Sequence, residues 1–168
     1  MTAIDALKAL KVNIEKIIED QNILLQKENS YPPSYVKPYT DLIFMPHSNF
    51  APQDYKVPFV LIGLDKAVDD ASEHTLFVRL TIGTYGGGWY VDDSGNKVDL
   101  PDGNGYYDLI NLIERIKFAI VTKANIDGAG TVCKPFDYGT YDTEMTYPYW
   151  YGYLSFNVSI PATEYILE

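Results

Sequence analysis

Apolar residues recur every three or four positions near the N-terminus, at Leu7, Leu10, Ile14, Ile17 and Leu24, with Ile18 and Leu25 widening the stripe. That spacing predicts an amphipathic helix over residues 2–27 with one buried face. Thr2 and Asp5 stand at the separation of a capping box, with Asp5 in the acidic slot. Lys8, Lys11, Glu15, Lys16, Glu19 and Asp20 form the solvated face. Gln21 interrupts the seam that a coiled coil needs, so packing of this helix on a sheet is expected.

The pattern then breaks. Residues 28–57 carry Pro32, Pro33, Pro38, Pro46 and Pro52, interleaved with Tyr31, Tyr35 and Tyr39. Prolines at this density end helices and remove ladder donors. Only DLIFM at 41–45 has the composition of a short strand. Two longer strand patterns follow. PFVLIGL at 58–64 is apolar on both faces, as in a central strand. HTLFVRLTIGTY at 74–85 alternates, with Leu76, Val78, Leu80 and Ile82 on one face and Phe77, Arg79 and Thr81 on the other. The polar DKAVDDASE between them predicts an antiparallel pair.

Residues 86–105, GGGWYVDDSGNKVDLPDGNG, read as a long loop rich in Gly, Asp and Asn. A second helix is expected over 106–123, burying Leu109, Ile113, Ile116 and Ile120 with Leu112 and Ala119 beside them. Asn104 or Gly105 can cap its start, with Asp108 in the first turn, and the glycines of NIDGAG end it. The last third reads as a hairpin over 131–160. Its second strand places Trp150, Leu154, Phe156, Val158 and Ile160 on one face, and Tyr151, Tyr153, Ser155, Asn157 and Ser159 on the other. The order helix, strands, helix, strands predicts an α+β fold: a mainly antiparallel sheet packed by two amphipathic helices, in a single domain spanning 1–168.

Composition narrows the function. The chain is 46% hydrophobic and 21% charged, which suits a globular protein. Its 13 basic and 23 acidic residues give a net charge of −10, the wrong sign for gripping nucleic-acid phosphates. The single cysteine, Cys133, excludes an internal disulfide and fits a reducing compartment. The N-terminus lacks the continuous apolar core of a signal peptide, and no run approaches the roughly 20 apolar residues of a membrane span. The 15 Tyr, 7 Phe and 2 Trp suggest strands and contact surfaces.

Motifs for chemistry are missing. A dinucleotide loop needs G-x-G-x-x-G opening a helix; here Gly86, Gly87 and Gly88 are adjacent and the helical pattern starts only near residue 106. The glycines are a flexible strand exit, or the base of a mobile arm whose tip, Trp89 and Tyr90, touches a partner. Asp92, Asp93, Ser94, Asn96 and Asp99 look like fragments of a calcium loop, but fail its spacing and flanking helices and read as a solvated turn. His47 and His74 have no Cys or His at ligand spacing. Cys133 lies mid-strand without a nucleophile signature and reads as a buried or half-buried structural thiol. No G-x-S-x-G or H-E-x-x-H occurs. The expectation is a non-enzyme with no cofactor and no metal.

Taken together, Pro58-Phe59, then Ile82-Gly83-Thr84-Tyr85, then Gly105-Tyr106-Tyr107-Asp108 with Asn111-Leu112-Ile113-Glu114-Arg115-Ile116, then Tyr149-Trp150 resemble the tail terminator proteins of long-tailed bacteriophages, also called tail completion or head–tail joining proteins. The likeness covers roughly residues 58–160 and lies in structural motifs. It implies a structural virion protein, assembled in the host bacterial cytoplasm. It implies a self-assembled ring, a hexamer, that caps the tail tube, stops addition of tube protein and offers a surface to the head–tail connector. DNA passes through such a ring without specific binding, which the negative charge suits, and no membrane is involved. On this resemblance the glycine run is the hinge of a loop, 86–104, longer than the family's pattern. The candidate interaction surface is Gly86, Gly87, Gly88, Trp89, Tyr90, Asp92, Asp93, Tyr151 and Tyr153. The alternatives are a neck or head-completion adaptor, and a binding module unrelated to phage.

Overall fold

A computed structural model describes residues 1–30, 33–42, 55–86, 89–99, 103–123, 125–141 and 147–162. Helix α1 spans Ala3–Asp20. Thr2 caps it: the Thr2 hydroxyl accepts from the Asp5 N–H, and the Asp5 carboxylate accepts from the Thr2 N–H at 2.9 Å. The helix stops short of the expected residue 27. Asn22 takes a left-handed φ of 49°, its N–H returns to the Glu19 carbonyl, and the Ile23 N–H returns to the Ile18 carbonyl. This is a Schellman stop with asparagine in the glycine position, and Ile23 and Ile18 are both buried beside it. Leu24 is consequently exposed, and Leu25 starts strand β1, Leu25–Gln26, which pairs with β2, Tyr35–Val36.

The fold is α+β. A six-stranded mixed sheet runs β3 (Tyr39–Asp41), β4 (Phe59–Asp69), β5 (His74–Tyr85), β10 (Tyr149–Ile160), β9 (Gly130–Thr140) and β8 (Asn125–Ile126). β3 pairs with β4 in parallel, and the other neighbours are antiparallel. The expected strand at 41–45 is realised only through Asp41, at the end of β3, while 43–45 lie outside the described residues. β4 and β5 form the expected antiparallel pair, with β4 extending five residues beyond the apolar run, to Asp69.

Leu76, Val78, Leu80 and Ile82 are buried on the face that α1 and α2 cover, together with Leu154, Phe156, Val158 and Ile160. Helix α2 spans Asn104–Lys123 and packs on β10, β5 and β9 through Leu109, Leu112, Ile113, Ile116 and Ile120. Its start corrects the sequence expectation. Asn104 and Gly105 lie inside the helix, and the Gly103 carbonyl accepts the N–H groups of Tyr106 and Tyr107. Asp108 is therefore beyond the first turn, which holds no acidic residue. Arg115 donates to the Gln21 side chain at 3.0 Å and to its carbonyl at 3.1 Å, fastening α2 to the cap of α1.

A second apolar cluster lies on the opposite face of the sheet. Val57, Phe59, Leu61 and Tyr85 are buried there, with Tyr39, Tyr149 and Tyr151 packed around them. The first half of β4 is therefore covered on both faces, as its all-apolar run required. Among the described residues no helix is long and apolar enough to cross a membrane.

A glycine joint and a candidate interaction surface

The sequence between β5 and α2 is not an open loop. It holds a two-stranded hairpin, β6 (Trp89–Val91) and β7 (Lys97–Asp99), with Trp89 opposite Asp99 and Tyr90 opposite Val98. Asp92 builds its turn. The carboxylate accepts the N–H groups of Ser94 at 2.9 Å and Asn96 at 2.8 Å, and Gly95 supplies the left-handed φ of 82°. Asp93 is exposed at the tip. Of the acidic residues that resemble a calcium loop, Asp92 and Asp93 are thus turn residues, and Asp99 is paired in β7. No group of three His, Cys, Asp or Glu able to hold a metal occurs among the described residues.

Gly86 is a fixed point, contrary to its expected role in a hinge. It is buried, and its N–H donates to the Pro148 carbonyl at 3.0 Å. A Cβ at this position would lie 2.2 Å from the Gly105 nitrogen, so two backbones cross in van der Waals contact. Gly105 is hemmed in by Trp150 as well, since a Cβ there would lie 2.3 Å from Trp150 Cδ1. Thr84, fully buried, donates its hydroxyl to the Gly105 carbonyl at 2.6 Å. Gly83 leaves room for the ring of Phe59, and Tyr85 meets Tyr149 edge-on at 5.4 Å. Residues quoted from four separate stretches of sequence thus form one joint that fixes the start of α2 to the ends of β5 and β10. Gly87 and Gly88 lie outside the described residues.

The two tyrosines of the candidate surface differ. Tyr151 belongs to the second cluster, stacked on Tyr149 at 6.4 Å and tilted on Phe59 at 6.1 Å. Burial, then the nearby Glu28 carboxylate, raises its hydroxyl above the ordinary tyrosine value. Tyr153 lies two residues further along β10, where the face is more open, with Tyr141 at 5.3 Å and the Arg79 guanidinium over its ring. Arg79 in turn pairs with Asp65 at 3.0 Å. The hairpin leaves the sheet at the end where Tyr149 and Tyr151 sit; the surface is therefore split between that end and the open face.

Cys133 is half-buried in β9, with its thiol 3.6 Å from the Thr131 carbonyl. His74 opens β5, 3.7 Å from Asp69, and His47 lies outside the described residues. The all-apolar run 58–64 calls for cover on both faces, but the sequence does not show what covers the second one, because Tyr39 comes from a proline-rich connection and Tyr151 reads as a contact surface.

Tyr39 supplies a pH test of that cluster. Its hydroxyl donates to Asp41 at 2.6 Å, and burial together with this carboxylate pushes its pKa up to about 12. A folded-state value above the unfolded one stabilises the fold below about pH 10, and that contribution is lost as pH rises through 12. Tyr149 and Tyr151 shift in the same direction. Unfolding by urea between pH 9 and 12 should show stability falling with pH, with a shallower fall in Tyr39→Phe.

No protein-family model matches the chain, and no curated protein matches it in sequence.

Proposed function

We propose that this chain is a structural, non-catalytic protein of a long-tailed phage that closes into a ring, a hexamer, on the end of the tail tube. The ring ends tube polymerisation and presents the surface that receives the head connector. The observation that carries the reading is the glycine joint. The stretches that resemble tail terminators meet at one place, so the likeness follows a packed structural unit rather than scattered matches. The net charge of −10 suits a lumen through which DNA slides without sticking. The β6–β7 hairpin, a two-stranded unit inserted between β5 and α2, is the element we assign to contact with tube or neighbour.

The test is the mass and shape of the purified protein over a concentration series, followed by addition of pre-formed tail tubes. Rings that bind one tube end and block further addition of tube protein support the reading. A protein that stays monomeric and leaves tube growth unchanged refutes it. A ring that binds the portal side and leaves tail length unaltered in a knockout points instead to a neck adaptor.

A further inference from the structure

Helix α2 carries a second stripe, turned away from its buried face. Tyr107, Asn111, Glu114, Phe118 and Val121 follow at spacings of four, three, four and three, those of one helix face, and all five are exposed. Phe118 is 69% exposed, Tyr107 62% and Val121 42%. Large apolar side chains held in water along one face mark a contact site. Beside Phe118 a shallow depression of about 410 Å³ is lined by Gln21, Asn111, Glu114 and Arg115. The charge here departs from that of the chain. Residues 114–123 hold three cations, Arg115, Lys117 and Lys123, and one carboxylate, Glu114, a net +2 in a chain of −10. Lys117 lies 3.7 Å from Glu114, and both also meet Tyr138, so this pair cancels. Arg115 donates to neutral oxygens of Gln21 and keeps its charge.

The β6–β7 hairpin has the complementary make-up. Its strand positions include Trp89, Tyr90, Val91 and Val98. Asp92, Asp93 and Asp99 against Lys97 give it a net charge of −2. The Asp92 carboxylate accepts from neutral backbone N–H groups, so its charge remains, and Asp93 is exposed. Among the described residues β6 and β7 pack chiefly on each other. Two strands this short are marginal in water without a further layer, which the described residues of the same chain do not supply. The hairpin is rooted at the contact between Gly86 and Gly105. Phe118 lies thirteen residues further along α2, about 20 Å at the helical rise. The root of the arm and the cationic end of the stripe are thus set apart along one helix, which gives the molecule a donor end and a receiving end.

We propose that the β6–β7 hairpin of one copy seats on the α2 stripe of a second copy, around Phe118 and Val121, with its acidic turn towards Arg115 and Lys123. Opposite net charges steer the approach, and apolar strand residues cover Phe118. The contact is heterologous, since hairpin meets helix and not its own counterpart. It therefore chains copies head to tail and closes into a ring when the rotation permits; its place in a closed ring rests on the function proposed above.

The experiment uses the full chain and two variants of it. In one, residues 89–99 are replaced by Gly-Ser-Gly, which removes the arm and leaves the stripe. The other, Phe118→Asp, spoils the stripe and leaves the arm. Circular dichroism checks that both fold; Val98→Asp in a chain of full length replaces the first variant if it does not. Sedimentation over a concentration series should show the parent assembling and each variant associating about tenfold more weakly. An equimolar mixture of the two should form a heterodimer and nothing larger, because one intact arm meets one intact stripe. A parent that stays monomeric at the highest concentration, an arm-less variant that assembles like the parent, or a mixture that stays monomeric overturns the contact. An arm-less variant that still forms rings but no longer holds a tail tube overturns it too, and leaves the ring reading standing. A heterodimer from the mixture, with a parent that never caps a tube, supports the contact and refutes that reading.

Discussion

Gly86→Ala is expected to lower the free energy of unfolding by about 3 kcal/mol, at the upper end of what overpacking costs. The new methyl group would lie 2.2 Å from the Gly105 nitrogen and 2.3 Å from its Cα. Both are backbone atoms, so no rotamer change relieves the clash. Either β5 parts from α2, which breaks the 2.6 Å bond from Thr84 to the Gly105 carbonyl, or the Gly86 N–H leaves the Pro148 carbonyl. Gly105→Ala sharpens the point. Gly105 is in the first turn of a helix, where alanine would ordinarily gain up to about 1 kcal/mol. Here the methyl would meet Trp150 Cδ1 at 2.3 Å, so the sign reverses. The control is Gly139→Ala, whose Cβ meets the Tyr153 ring at an ordinary 3.5 Å or more; it should stay within about 0.5 kcal/mol of the parent. Urea unfolding of the three variants decides the matter. If Gly86→Ala unfolds like the parent, the joint is not tight, and the glycine run is the hinge that its composition suggested.

That contrast shows what could be read from the sequence. Periodicity located the helices and the long strands, because burial of one face imposes a period of 3.6 or 2 wherever one side faces the core. Leu76, Val78, Leu80 and Ile82 are buried as their alternation required. Where conformation depended on one backbone angle, periodicity failed. Leu24 and Leu25 continue the stripe of α1, yet Asn22 stops the helix before them. The β6–β7 hairpin was hidden because three-residue strands are too short to show alternation, although its organiser, Asp92, reads as part of a turn. The role of Gly86 was hidden for another reason. Its partner, Gly105, is nineteen residues away, and the contact exists only once α2 docks.

Phe59→Ala should cost roughly 3–5 kcal/mol, the range for deleting a buried aromatic, although Phe59 lies outside the main core. Its side chain is 2% exposed, on the sheet face that the helices do not cover. It rests in the hollow over Gly83 and touches Tyr151, which stacks on Tyr149, whose hydroxyl donates to Glu28 at 3.2 Å. Glu28 also accepts the Lys56 N–H, so the two ends of the proline-rich connection are tied to this cluster through one carboxylate. Losing the ring removes packing on Gly83 and loosens that tie. A double-mutant cycle separates the two effects. Gly83→Ala alone brings its Cβ to 2.5 Å from the Phe59 ring, at the far end of a side chain that can swing. With Phe59→Leu, the smaller side chain vacates the hollow, and the pair should cost less than the sum by about 1 kcal/mol. Strict additivity would mean that Phe59 does not lean on Gly83. The glycine of Ile82-Gly83-Thr84-Tyr85 would then need another physical reason.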